Sequence, residues 1–200
     1  MLQAQHLISL RSRVSQKMRE ARQPHKGMTF WLTGLPGAGK STLAHAVEFE
    51  LFHRNYNIVV LDGDAIRTGL CRDLGFSPEA RAENNRRVAE LAKILVHNGA
   101  ICLCAFISPF REVRRQAGEI VGREFFREVF VKCPVEICER RDAKGFYAKA
   151  RQGIILNYTG ISSEYEPPLQ PDIVICTENT PVESSVAEFL LFVERETVKG

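Results

Sequence analysis

One octapeptide, usable only at the turn between a buried strand and a helix, limits this chain to very few folds. Residues Gly34-Leu35-Pro36-Gly37-Ala38-Gly39-Lys40-Ser41 fit the phosphate-binding loop G-x-x-x-x-G-K-[ST] without a mismatch. Its glycines let the backbone curl until N–H groups converge on a polyphosphate. Lys40 is then placed for the β- and γ-phosphates, and the Ser41 hydroxyl for Mg²⁺. The flanks supply the required context. Met28 to Thr33 is a short apolar strand candidate, and Leu43, Val47 and Leu51 recur at helical spacing behind the loop.

From this loop onward strands and helices alternate. Strands are expected at 28–33, 58–61, 100–105, 128–131 and 172–176, all strongly apolar, as strands covered on both faces are. Helices are expected after the loop, from Ser77 to the Asn98-Gly99 stop, after Ser108-Pro109, from Val135 to about Arg141, and from Pro181 to about Val198. The pattern predicts an α/β protein: a three-layer α/β/α P-loop kinase fold around a mostly parallel five-stranded sheet. Its domain occupies residues 26–200. Residues 1–25 read as a basic amphipathic helix and linker, with Leu7, Leu10, Val14 and Met18 as a docking stripe and Arg11, Arg13, Lys17, Arg19 and Arg22 solvated. The stretch from about 143 to 171 breaks the alternation and is rich in Gly, Lys, Tyr and Pro, which marks a lid over the site.

A net charge of +3 suits an anionic small substrate and is too weak to argue for nucleic acid. No apolar run approaches a membrane span and no signal-peptide core is visible, so a cytoplasmic location is expected. The six cysteines form no C-x-x-C and read as reduced small hydrophobes.

The second strand ends in Asp62-Gly63-Asp64-Ala65-Ile66-Arg67. At the carboxyl end of a parallel strand, two carboxylates can hold water ligands of Mg²⁺ or take a proton from an attacking hydroxyl, and Arg67 can bind an anion. Arg81, Asn84 and Arg87 share one side of the following helix. Phe76 is placed either to stack on a purine or to pack as core. The lid adds Arg140, Arg141, Lys144, Lys149 and Arg151.

Assembled, these residues resemble the adenylyl-sulfate kinase (APS kinase) family. The likeness rests on Trp31 to Leu35, the loop itself, Leu61-Asp62-Gly63-Asp64, Asp73 to Ser77, Glu83-Asn84 with Arg86-Arg87, Phe106 to Pro109, Cys138-Glu139 with Arg141-Asp142, Lys144-Gly145, Lys149-Ala150-Arg151 and Thr159-Gly160-Ile161. It implies transfer of phosphate from ATP, with Mg²⁺, to the ribose 3′-hydroxyl of adenosine 5′-phosphosulfate, a step of sulfate assimilation. Asp64 would act on that hydroxyl and stand near the metal with Ser41, with Lys40 and Ser108 as further catalytic candidates. Gly34 to Thr42, Arg141 and Thr180 would bind ATP. Arg67, Phe76, Arg81, Asn84, Ile107, Ser108, Lys144, Asn157 and Tyr158 would hold the acceptor, with Phe76 stacking on its adenine opposite Tyr158. The resemblance also implies a homodimer and leaves an ATP sulfurylase partner open. Ala65, Cys71, Phe110 and Tyr158 depart from the family's usual residues. Another small-molecule P-loop kinase, or an ATP-binding regulator without turnover, remains an alternative on sequence grounds.

Overall fold

Five apolar runs become five strands of one parallel sheet in the computed structural model, which describes residues 12–142 and 144–199. In chain order the elements are α1 (Gln16–Glu20), β1 (Met28–Thr33), α2 (Lys40–His53), β2 (Ile58–Asp62), α3 (Gly63–Thr68), α4 (Pro78–His97), β3 (Ile101–Ala105), α5 (Arg111–Val121), β4 (Phe126–Lys132), α6 (Val135–Arg140), α7 (Phe146–Arg151), β5 (Ile173–Cys176) and α8 (Val182–Thr197). A 3₁₀ turn at Arg123–Phe125 precedes β4. The strand order is β2-β3-β1-β4-β5, so β1 is central and hydrogen-bonded on both sides. Every paired strand is parallel, which meets and sharpens the expectation of a mostly parallel sheet.

Side chains of β1 alternate between two cores, as the period of a strand requires. Phe30 and Leu32 pack with Val47, Leu51, Phe189 and Val193 of α2 and α8. Trp31 points the other way, into Val88, Ala92, Cys102, Cys104 and Ala117 beneath α4 and α5. Two helix layers thus enclose the sheet. Ser77 caps α4 through its Oγ, with Pro78 at the first helical position. All six cysteines are free and five are buried; burial pushes the Cys102 thiol up to about 12. This is the chemistry of small inert hydrophobes.

Only part of the expected amino-terminal helix falls within the described residues. Leu7, Leu10 and Arg11 lie outside the described residues. Within them, α1 covers only Gln16–Glu20, with Ser15 accepting from Met18 N. Val14 and Met18 are exposed, so they do not dock as a stripe. The segment is held through Glu20, whose carboxylate accepts from Gly27 N at 3.0 Å. Among the described residues, no helix is long and apolar enough to cross a membrane.

Candidate active site

The phosphate-binding loop turns from β1 into α2. Gly34 has φ 155°, and a Cβ there would lie 2.4 Å from the Val131 carbonyl. Gly37 has φ 76° and passes so close to the Cys138 carbonyl that a Cβ would lie 2.9 Å away. Glycine at both positions therefore answers to packing as well as to backbone freedom. Lys40 is buried and donates to the carbonyls of Gly34 and Leu35, each at 2.8 Å. Burial lowers its pKa to about 8. Two further carbonyls of the loop accept from outside it. Tyr147 Oη donates to Pro36 O at 2.8 Å, and Thr177 Oγ1 to Ala38 O at 2.9 Å.

Beside the loop opens a cleft of about 420 Å³. Gly37, Lys40, Ser41 and Thr42 form one wall, and Arg141, Thr177, Thr180 and Ser185 another. Arg141 donates to the Thr177 carbonyl at 2.5 Å. Arg141 and Thr180, expected near a nucleotide, therefore share one cavity with the loop. Thr177 and Ser185 were not expected there. The hydroxyl of Ser185 is buried and has no hydrogen-bond partner among the described residues.

On the other side, β2 delivers the two carboxylates. Asp62 caps α3, accepting from Asp64 N at 2.9 Å, while its second oxygen accepts from Ser41 Oγ at 2.5 Å. Asp64 projects into solvent and pairs with Lys144 of the lid at 3.0 Å. That bond raises the Lys144 pKa. The sequence reading set Asp64 with Ser41 for the metal, whereas the structure sets Asp62 against Ser41. Asp62 must keep its backbone cap, and the one-turn step into α3 carries Asp64 outward. The hydroxyl and carboxylate oxygens gathered here are hard donors of the kind Mg²⁺ takes.

The acceptor-side residues converge on Phe76, whose ring is exposed. The Arg67 guanidinium lies over it at 4.4 Å and that of Arg81 at 5.6 Å. Arg67 also donates to Gly75 O, and Arg81 to Phe76 O and, across the groove, to Asn157 O at 3.2 Å. Burial lowers the pKa of both guanidinium groups. Asn84 is buried, and its Oδ1 has no hydrogen-bond partner among the described residues. Arg87 leaves this row for Asp73 and Glu83, and hydrogen bonds from Arg86 and Arg87 hold the Glu83 carboxyl down to about 2.

Tyr158 meets the Tyr147 ring edge-on at 5.0 Å, and it is Arg67 that covers the Phe76 face. Ser108 is buried, with φ 42°, and its Oγ accepts from Trp31 Nε1 at 3.0 Å and donates to Asn85 Oδ1 at 3.3 Å. That hydroxyl ties the turn after β3 to β1 and α4. The neighbouring Ile107 carbonyl accepts from Thr33 Oγ1 at 2.7 Å. Arg114, almost wholly buried, locks this turn by donating to Ser108 O, Glu166 O and the Glu128 carboxylate.

The adenylylsulphate kinase family model matches residues 26–176. The chain belongs to the adenylylsulphate kinase family. It is 48% identical over 183 residues to the probable adenylyl-sulfate kinase of Bacillus subtilis, covering 92% of this chain and 93% of that one. It is 51% identical over 172 residues to the adenylyl-sulfate kinase of Thermodesulfovibrio yellowstonii, covering 86% of each. Among solved structures, the Mycobacterium tuberculosis APS kinase in complex with AMPPNP and APS superimposes with a TM-score of 0.82 at 42% identity, over 86% of this chain and 99% of that one. A gluconokinase from Sinorhizobium meliloti, 12% identical with a TM-score of 0.53, shares the fold alone.

As a member of the adenylylsulphate kinase family the chain gathers most of its expected residues into two lobes of one site. The loop, Thr42, Arg141 and Thr180 border the cleft; Lys144 pairs with Asp64, and Arg67 and Arg81 lie over Phe76, with Arg81 donating to the Asn157 carbonyl. Tyr147, Thr177, Ser185 and Arg114 are residues that sequence reasoning did not assign, whereas Asp62 is one of the two carboxylates it placed here without fixing which of them faces Ser41. Tyr147, Thr177 and Arg114 carried no signal, because the partners that place them here lie up to 139 residues away.

Proposed function

We propose that this chain is an ATP-dependent adenylyl-sulfate kinase: it moves the γ-phosphoryl group of ATP to the 3′-hydroxyl of adenosine 5′-phosphosulfate, giving ADP, 3′-phosphoadenosine 5′-phosphosulfate and a proton. The observation that carries the reading is the placement, on either side of the 41–64 corner, of a complete phosphate loop and an arginine-aromatic cluster, in a chain with family relatives over most of its length. The Mycobacterium tuberculosis relative was solved with AMPPNP and APS together, the two ligand classes those lobes suit.

In this reading the loop N–H groups receive the β-phosphate, and Lys40 exchanges the Gly34 and Leu35 carbonyls for phosphate oxygens. Ser41 and Asp62 would hold Mg²⁺, with Asp64 reaching it through water; the ion supplies charge neutralisation between the transferring phosphates. Asp64 orients the 3′-hydroxyl and accepts its proton once Lys144 yields the carboxylate. Arg67 and Arg81 bind the phosphosulfate, Phe76 stacks on adenine, and Asn84 offers its buried oxygen to the nucleoside. Closure of the lid keeps water from the γ-phosphate. A cytoplasmic location and a homodimer complete the reading; the hexameric Thiobacillus denitrificans APS kinase is an oligomeric relative, 30% identical with a TM-score of 0.65. Light scattering of the purified chain tests the dimer.

Purified protein given ATP, Mg²⁺ and adenosine 5′-phosphosulfate should yield the 3′-phosphorylated product by mass spectrometry. ATP consumption with another acceptor, and none with this one, would replace the reading with a different P-loop kinase.

A further inference from the structure

A trans peptide points its C=O and N–H in opposite directions. In a phosphate loop the useful N–H groups face inward, so the matching carbonyls must face outward, where each needs a donor of its own. The Pro36 carbonyl shares a peptide plane with Gly37 N–H, and the Ala38 carbonyl with Gly39 N–H. Among the described residues neither of these N–H groups donates to a backbone acceptor. Both carbonyls are engaged from behind, by Tyr147 Oη at 2.8 Å and Thr177 Oγ1 at 2.9 Å. The N–H between them, on Ala38, is turned back to the Leu35 carbonyl at 3.1 Å and is spent within the loop.

We propose that Tyr147 and Thr177 are positioning residues that clamp two peptide planes of the loop from outside, so that Gly37 N–H and Gly39 N–H are aimed at the polyphosphate before it arrives. Neither side chain touches the phosphates in this account; each acts through a carbonyl. The two clamps come from separate elements, Tyr147 from the lid helix α7 and Thr177 from the turn after β5. Both are themselves fixed. Tyr147 is buried, its N–H donates to Asp142 Oδ2 at 2.6 Å, and its ring packs on Tyr158. Thr177 receives Arg141 at its carbonyl. An oriented dipole that needs no rearrangement on binding is worth more than one that must be turned. The lid clamp also ties the aim of Gly37 N–H to the seating of α7.

The inference rests on the reading of the loop as a nucleoside triphosphate site. The test is calorimetric titration of AMPPNP and of AMP, which lacks the β- and γ-phosphates, into the whole chain and three variants. Tyr147→Phe and Thr177→Val each remove one hydroxyl at nearly constant shape. Each should weaken AMPPNP about fivefold, the weight of one hydrogen bond, and Tyr147→Phe, at a residue outside the cleft wall, should leave AMP within about twofold. Thr177→Ser keeps the hydroxyl and should restore AMPPNP affinity. Equal weakening of AMPPNP and AMP by Tyr147→Phe would show a merely structural role and overturn the proposal, as would unchanged AMPPNP affinity in both variants. Product analysis with adenosine 5′-phosphosulfate is run on the same wild-type sample. A sample that binds AMPPNP but forms no 3′-phosphorylated product sinks the acceptor assignment and leaves the clamps to the titrations. One that binds no AMPPNP overturns both.

Discussion

Lys40 is held where its charge is costly. Burial lowers its pKa from the ordinary lysine value of 10.5 to about 8, so between those limits the folded chain has shed a proton that the unfolded chain keeps. Its contribution to stability is therefore largest above 10.5 and is lost as pH falls towards 8. Phosphate binding has the opposite preference, because it needs the ammonium ion. We predict that kcat/KM for ATP, which reports the free enzyme, falls as pH rises through about 8. The kcat limb should extend to higher pH, since a bound polyphosphate favours the charged lysine. Coincident alkaline limbs for the two parameters would remove Lys40 from the free-enzyme titration. Asp64 gives a second prediction at this scale. Asp64→Ala should cut kcat about 100-fold or more while the AMPPNP dissociation constant stays within about threefold. Steady-state kinetics with calorimetry decides it, and near-normal turnover would exclude Asp64 as base. The glycines, Lys40, Ser41 and Asp64 were legible as residues because each belongs to a contiguous motif. The true surroundings of Ser108 were not, because its hydroxyl answers to Trp31, 77 positions earlier, and to Asn85.

At the scale of elements, Arg114 of α5 joins β4, the turn after β3 and the carboxyl-terminal end of the lid. Its side chain is 2% exposed, and that of its partner Glu128 is 21% exposed. Removing the cation strands a half-buried carboxylate and two carbonyls, so Arg114→Met should cost about 3 kcal/mol in urea unfolding. Adding Glu128→Gln should recover part of that loss. A cost below about 1 kcal/mol would place the pair with ordinary surface ion pairs. The long elements were readable from sequence because they carry redundant signals: apolar strands, Ser77-Pro78 at the head of α4, and Asn98-Gly99 at its end. Short ones escaped. Helix α3 is six residues long and opens on Gly63, and α7, also six residues, begins after a left-handed Gly145 inside a polar segment. Neither has an apolar period long enough to register, and both are held by tertiary contacts.

For the molecule as a whole, parallel alternation was legible but the order β2-β3-β1-β4-β5 was not, since a run of apolar residues does not name its neighbours. The polar stretch expected as a lid is tied at Lys144 to Asp64, at Tyr147 to Pro36 and at Asn157 to Arg81. Between the last two ties Ile154 and Leu156 are largely exposed. Chymotrypsin should cut at Leu156 first, and AMPPNP with adenosine 5′-phosphosulfate should slow that cut severalfold. Equal cleavage with and without ligands, followed by mass spectrometry, would show that the segment does not close. Meanwhile β1, the strand that ends in the phosphate loop, is shielded by a strand on each flank and a helix layer on each face. Loosening that starts at the rim reaches this strand last, and amide exchange slowest at Phe30 to Leu32 would report that order. A molecule with frayed margins then still grips its nucleotide, and the grip becomes the seed on which the margins reassemble.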